Sequence, residues 1–315
     1  ANVKPINDGQ FVSLNGDGAF LWDKAKGTHL RSFRANAAVV QSSFSSDGKY
    51  IVTGSRSIKI WDSATLDPLG KLEVAHDGPV RSVEFAQQSL GGEPDYRLVS
   101  GGDDGKVRLW HWNPTSKRVT AAGEFDFGSP VRSVQMSFDG MSVLACGSAG
   151  TAKLWRIDSP TRPIVFRQPN AGGFVCVTSS RDGKWIAVGS TESVGYLWQV
   201  PQHGEPVGDP IELRGHSQRI EDIAILQDAS QQMRVFTASE DQTARVWDPQ
   251  IEQLAEQPVG SDLKSQDALQ AREVLLLEQH TSSVTAVDVT ASGELLLTAS
   301  RDGTVILWPA DITSE

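Results

Sequence analysis

The chain has 315 residues, 39% of them hydrophobic, enough to bury a large core as one big domain or two ordinary ones. It contains no run of about 18 apolar residues able to span a bilayer as a helix, and its start shows neither a charged segment nor an apolar signal core, so nothing points to a membrane. Lys and Arg number 29 against 39 Asp and Glu, a net charge of −10, which argues against a phosphate-neutralising surface and against nucleic acid as the main partner. The default localisation is cytoplasmic. Because the sequence opens at Ala1 rather than Met, it reads as a processed chain or a domain excised from a longer one, and an upstream signal stays open.

Short β-rich runs recur along the whole chain. "QFVSL" and "GDGAFLW" come first, ending at Trp22, with room for only about six residues of strand before them. "YIVTGS" and "RSIKIW" lead to Trp61, followed by "DPLGKLEV". "PVRSVEFA", "RLVSGG" and "DDGKVRLW" lead to Trp110; "PVRSVQMS", "SVLACGS" and "SAGTAKLW" lead to Trp155, followed by "PIVFRQ". "WIAVGS" and "ESVGYLW" reach Trp198, followed by "PIELRG". "RIEDIAIL", "RVFTAS" and "EDQTARVW" reach Trp247, followed by "EVLLLEQ"; "SVTAVDVT", "LLLTAS" and "RDGTVILW" reach Trp308.

Seven of the nine tryptophans thus close one kind of segment, at spacings of 39, 49, 45, 43, 49 and 61, and Asp follows directly at Trp22, Trp61 and Trp247. The run before each Trp segment is apolar almost without alternation and ends in small residues, as a strand covered on both faces and closed by a tight turn should be. Four strands per unit, seven units and almost no helical periodicity predict an all-β fold: a seven-bladed β-propeller of four-stranded antiparallel blades, one domain over residues 1–315. One such sheet cannot cover its own apolar faces, whereas neighbours in a ring cover each other. These residues resemble the WD-repeat family over essentially the whole chain. The resemblance implies a β-propeller that acts mostly as a platform for protein assembly.

Thr298, Asp302 and His280 are the residue types of a nucleophile, an orienting acid and a base. The grouping is not unique. Asp302 and Thr298 stand six and ten residues before Trp308; Asp241 and Thr237 hold the same offsets from Trp247, and Asp104 and Ser100 hold them from Trp110. Each unit has one upstream histidine, His280, His216 ("RGHS") and His76 ("VAHD"). An active site occurs once, so a structural role is expected. In the family resembled, His, Ser or Thr, Asp and Trp form a hydrogen-bonded chain that satisfies each buried polar group.

The other units depart from this pattern. Ala149 and Glu192 take the Asp position, Ala145 and Val188 the hydroxyl position, and Phe127 and Asn170 the His position, while the first two units have shortened turns. These four blades are expected to rely on apolar packing, leaving the third, sixth and seventh the stiffest. Cys146 and Cys176 sit in apolar surroundings without a CxxC pair and read as buried reduced thiols. Between Trp247 and His280 lie about 16 residues beyond a typical unit; "SDLKSQDALQAR", 261–272, could form one or two helical turns in a solvated loop. The seven residues after Trp308 are meagre for an outer strand of the last blade, and in the family resembled that strand often comes from the N-terminus. The parent protein is therefore expected to continue upstream of Ala1.

The resemblance places partner binding around the narrow end of the central channel. Carried over by position, the early inner-strand residues are Val40, Arg81, Arg132, Val175, Glu221 and Thr285, and those before the turn Asp are Asp103, Glu240 and Arg301. Arg81 and Arg132 should form a basic arc able to fork onto a carboxylate or phosphate, while Glu221 and Glu240 suit a cationic side chain, so a peptide with opposite charges at its ends is expected. Few aromatics reach this face, which argues against a methyl-lysine cage. The sequence shows no HExxH, GxSxG or GxxxxGK, and His29, His111 and His203 are scattered. A noncatalytic protein or peptide platform within a larger signalling or assembly protein, with no cofactor or metal, is the leading reading. A propeller hydrolase and a small-ligand binder at the channel mouth are the alternatives.

Overall fold

A computed structural model describes residues 2–7, 10–15, 18–23, 25–34, 41–72, 75–86, 96–201, 209–227, 232–251, 269–290 and 292–309, with residues 2–7, 10–15, 18–19 and 33–34 described as backbone alone. The described strands form separate antiparallel sheets in chain order, six of four strands and one of three. The architecture is a β-propeller of four-stranded antiparallel blades. The last sheet, Val284–Val289, Leu295–Ser300 and Val305–Pro309, departs from the four strands expected of every blade. Among the described residues no strand pairs with its outer edge, and the residues after Pro309 lie outside those described. No helix among the described residues is long and apolar enough to cross a membrane.

Burial follows position within a blade. Second strands such as Tyr50–Gly54, Ser142–Gly147 and Trp185–Ser190 are buried almost throughout, because neighbouring blades cover both of their faces. Outer strands such as Arg118–Asp126 and Ser159–Arg167 are mostly exposed. Ladder tryptophans share a core with the blade before their own: Trp110 with Val52 and Ile58, Trp155 with Val99 and Val107, Trp247 with Ala187 and Leu197. Trp22, on the first sheet, packs against Ala286, Leu297 and Ala299 of the last.

Inner strands are edge strands, and their channel-side N–H groups need acceptors. Side chains across the seam provide them. Ser82 Oγ accepts from Val134 N at 2.9 Å, Gln135 Oε1 from Ser179 N at 2.6 Å, and Asp222 Oδ2 from Val287 N at 3.1 Å. Gln41 Oε1 and Ser43 Oγ accept from Val83 N and Phe85 N at 3.0 and 3.2 Å. Neighbouring blades are thereby tied at the channel as well as by apolar packing.

The one or two helical turns that 261–272 could form lie largely outside the described residues, and the described end of that segment is extended instead. Gln270 bridges Glu212 in parallel, Glu212 N donates to Leu269 O at 2.7 Å, and Ala271 N donates to Glu212 O at 2.9 Å. The reason is the open edge of the strand Ile211–Arg214, whose backbone groups this segment satisfies while Leu269 and Ala271 pack onto the core between the fifth and sixth blades.

Candidate functional site: braced blades and a charged channel mouth

The three recurring groupings assemble as hydrogen-bonded chains. In the third blade Trp110 Nε1 donates to Ser100 Oγ at 2.9 Å, Ser100 Oγ lies 2.7 Å from His76 Nε2, and His76 Nδ1 lies 2.9 Å from Asp104 Oδ1. The sixth repeats this with Trp247, Thr237, His216 and Asp241 at 2.8, 2.7 and 2.8 Å. The last repeats it with Trp308, Thr298, His280 and Asp302 at 2.9, 2.8 and 3.0 Å. A ring protonated at Nδ1 lets each hydroxyl accept from the indole and donate to Nε2, and in the third blade Arg108 Nη1 also crowds His76 Nδ1 at 2.7 Å. The carboxylate also accepts a backbone N–H from the residue after the histidine, Asp77, Ser217 or Thr281, which fixes the loop.

Hydroxyl, imidazole and carboxylate are in line as in a catalytic triad, yet Ser100, Thr237 and Thr298 have no exposed surface. A sealed hydroxyl whose lone pair is held by an indole has no route to a substrate in this conformation. Burial alone would raise the Asp104 carboxyl, but hydrogen bonds from Arg108, His76 and two backbone N–H groups outweigh it and hold Asp104 far below the usual carboxylate range. Asp241 and Asp302 are lowered against the same burial cost, with His216 and Thr243 leading for the first and Thr304 and the Thr281 N–H for the second. His76 is pushed down by burial, which Asp104 only partly offsets.

Close packing explains the small residues before each turn. A Cβ on Gly102 would lie 2.4 Å from His76 Nδ1, and one on Gly147, the matching position in the fourth blade, 2.6 Å from Phe127 Cε1. Phe127 thus fills the histidine's space, buried and 6.2 Å from the Trp155 ring, with Lys153 5.2 Å over its face. In the fifth blade Asn170 is exposed, and Phe174, Tyr196 and Trp198 form an aromatic cluster with centroids 5.7 to 6.1 Å apart. The second blade corrects the expectation that only apolar packing remains. Trp61 Nε1 donates to Thr53 Oγ1 at 2.9 Å, so half of the chain survives without histidine.

A second repeated device escaped the sequence reading. In the turns after the inner strands, Ser45, Ser137 and Ser180 donate to Asp47, Asp139 and Asp182 at 2.7, 2.6 and 2.6 Å and accept from Tyr50, Ser142 and Trp185 N–H at 3.0, 2.8 and 3.0 Å. The recurring Ser-x-Asp-Gly at 45–48, 137–140 and 180–183 was the available signal. Arg108, Thr243 and Thr304, which hold the turn carboxylates, were also missed. Cys146 and Cys176 are free, buried thiols raised by desolvation.

Inner strands from six sheets line a central cavity of about 590 Å³, to which Arg81, Arg132, Val175, Glu221 and Thr285 contribute at one mouth. Val40 lies outside the described residues. Arg81 does not point its fork outward as expected: Nε donates to Asp103 Oδ1 at 2.8 Å and Nη2 pairs with Oδ2. That bond lowers Asp103 against the cost of burial, and Arg132 nearby adds to the effect. Arg132 is exposed, with Nε donating to Ser148 Oγ at 3.1 Å. Glu221 and Glu240 already have cations: Arg219 lies 2.6 and 3.7 Å from them, and Arg301 3.4 and 3.9 Å. Thr285 Oγ1 donates to Ala299 O at 3.3 Å.

Residues 27–62, 67–111, 117–156, 209–248 and 271–309, more than half of the chain, match the family described as WD domain, G-beta repeat. The largest unmatched internal stretch holds most of the fifth blade, where Asn170, Val188 and Glu192 replace the polar chain. The sequence is 28% identical over 150 residues to human serine-threonine kinase receptor-associated protein, covering 47% of this chain and 40% of that one. It is 25% identical over 302 residues to the Danio rerio denticleless protein homolog, covering 81% and 44%. Against the Saccharomyces cerevisiae target of rapamycin complex subunit LST8 it is 23% identical over 234 residues, covering 72% of each. The alignment with the first of these spans less than half of that relative's length. On the matched repeats and the blades they form, the chain belongs to the WD domain, G-beta repeat family.

Proposed function

We propose that the chain is a noncatalytic interaction platform that binds a protein or peptide on the face around the central channel, as a module of a larger signalling or assembly protein. One contrast carries the reading. The groups with catalytic potential are sealed inside blades, whereas the mouth gathers side chains of differing chemistry from several blades, including Arg81, Arg132, Glu221 and Thr285. The relatives' names add support, since one is a subunit of a complex and another is receptor-associated. In this reading seven blades close a ring, with the three-stranded sheet as the seventh. Its support is that strand Asn2–Asn7 packs against Val284–Val289 on one side and Gln41–Phe44 on the other, with Trp22 set on the last sheet. A cytoplasmic setting, free of membrane and nucleic acid, is part of the proposal, and two reduced buried thiols suit it.

The experiment is proximity labelling with wild type, Thr285→Arg, which crowds the mouth, and Lys184→Glu at the opposite end of the channel. Partners lost from the first variant and kept by the second support the face. An unchanged set in both overturns it.

A further inference from the structure

We infer that the partner's docking segment is acidic and that Arg132 is its receptor, an inference that rests on the channel-mouth reading above. Three of the carboxylates at this mouth are already matched. Asp103 is forked by Arg81, and Glu221 and Glu240 sit between Arg219 and Arg301. The cations are not all matched. Among the described residues, Arg132 has no carboxylate within ion-pair distance and only the Ser148 hydroxyl on its Nε. Arg81, Arg219 and Arg301 are thus paired, and the positive charge left without a carboxylate partner falls on Arg132. The peptide with a cationic end expected from the sequence would have to displace Arg219 or Arg301, whereas an anionic one displaces nothing.

The geometry suits a carboxylate in particular. With Nε held by Ser148, the two terminal nitrogens form the edge that pairs bidentately with an Asp or Glu side chain. The neighbouring fifth-blade positions Val175 and Thr191 are uncharged, and Glu192, the carboxylate next to them, accepts from Thr191 Oγ1 at 3.4 Å. The chain as a whole carries −10 and repels an acidic segment at long range. Screening limits that repulsion to about 8–10 Å at physiological salt, inside which the local charge decides. An acidic segment therefore binds at this arc and slides off elsewhere.

The test uses three short fluorescent peptides, Asp/Glu-rich, Lys/Arg-rich and uncharged, with anisotropy read at low and high salt. The expected result is preference for the acidic peptide, weakened by salt and by about tenfold or more in Arg132→Glu. Arg132→Lys, which keeps charge but loses the fork, is expected to fall between. Lys184→Glu makes the same charge change at the other mouth and is expected to bind like wild type. Equal loss in Arg132→Glu and Lys184→Glu, or preference for the basic or uncharged peptide, overturns the inference. If a non-acidic peptide binds and Thr285→Arg abolishes it, the channel-mouth reading stands and only the acidic specificity falls. If no peptide binds, or binding is indifferent to Thr285→Arg, both fall.

Discussion

Thr298 Oγ1 stands between the Trp308 indole, which donates to it at 2.9 Å, and His280 Nε2, 2.8 Å away, with no exposed surface of its own. Thr298→Val keeps the shape and removes both partners' hydrogen bonds. An orphaned buried polar group costs about 1–3 kcal/mol, so with two orphans a loss of at least roughly 2 kcal/mol is expected. Thr53→Val in the second blade removes a single hydrogen bond, the one from Trp61 Nε1, and should cost less. Urea unfolding midpoints of the two variants, at unchanged m-value, check the order. Equal midpoints would remove the case for a three-membered brace in the last blade.

That pair also marks how far the sequence was legible. Trp, hydroxyl and Asp keep fixed offsets because a blade's second and third strands form one hairpin, so the bond from Trp308 to Thr298 spans 10 residues, as it does from Trp110 to Ser100. Thr53 was missed because its shorter turn brings the separation to 8. The mouth's ion pairs had no such signal. Arg301 and Glu221 meet from 80 positions apart, and only the ring brings the blades' faces together. Side chain to backbone links between inner strands, such as Asp222 to Val287 across 65 positions, leave no residue-type pattern, since Gln, Ser and Asp all serve.

Gly102 tests the packing around His76. A methyl there would sit 2.4 Å from Nδ1 and 2.9 Å from Asp104 Oδ1, two groups held by each other and by Ser100. Gly102→Ala should destabilise by roughly 1–3 kcal/mol through overpacking. The same change in a His76→Ala background should cost clearly less, because the clash partner is gone. Additive costs in the double-mutant cycle would show that the glycine serves its own backbone instead.

The shifted groups set an acid response with a definite sign. His76 has a folded value below that of the unfolded chain, about 6.5, so as pH falls below this the unfolded state takes a proton that the folded state refuses. Stability is fully present above about 6.5 and declines toward the folded value. Asp104, Asp241 and Asp302 act later: their contribution is complete above the unfolded carboxylate value of about 3.9 and is lost as pH drops below it. His76→Asn should flatten the first decline and leave the Asp241 and Asp302 parts of the second, trimming only the Asp104 part that His76 supports. Urea midpoints across the two windows separate these steps, and a first decline unaltered by His76→Asn would assign it to another group.

Asp222 offers the sharpest test of the ties at the channel. Its Oδ1 accepts from Ile223 N at 3.0 Å and its Oδ2 from Val287 N at 3.1 Å, on the neighbouring blade. Asp222→Ala removes both acceptors, so the link to Val287 breaks whichever way the chain relaxes. If side chains on inner strands hold adjacent blades together, Val287 N–H should exchange with solvent markedly faster, while amides within the core strand Leu295–Ser300 keep their protection. Ser82→Ala should do the same to Val134 N–H at another seam, where Ser82 Oγ accepts at 2.9 Å. Slow exchange at both N–H groups in the variants would mean that apolar packing alone holds the seams. The selective pattern would mean that each blade borrows acceptors from the one before it, so damage at one seam opens the channel locally before the blades themselves unfold.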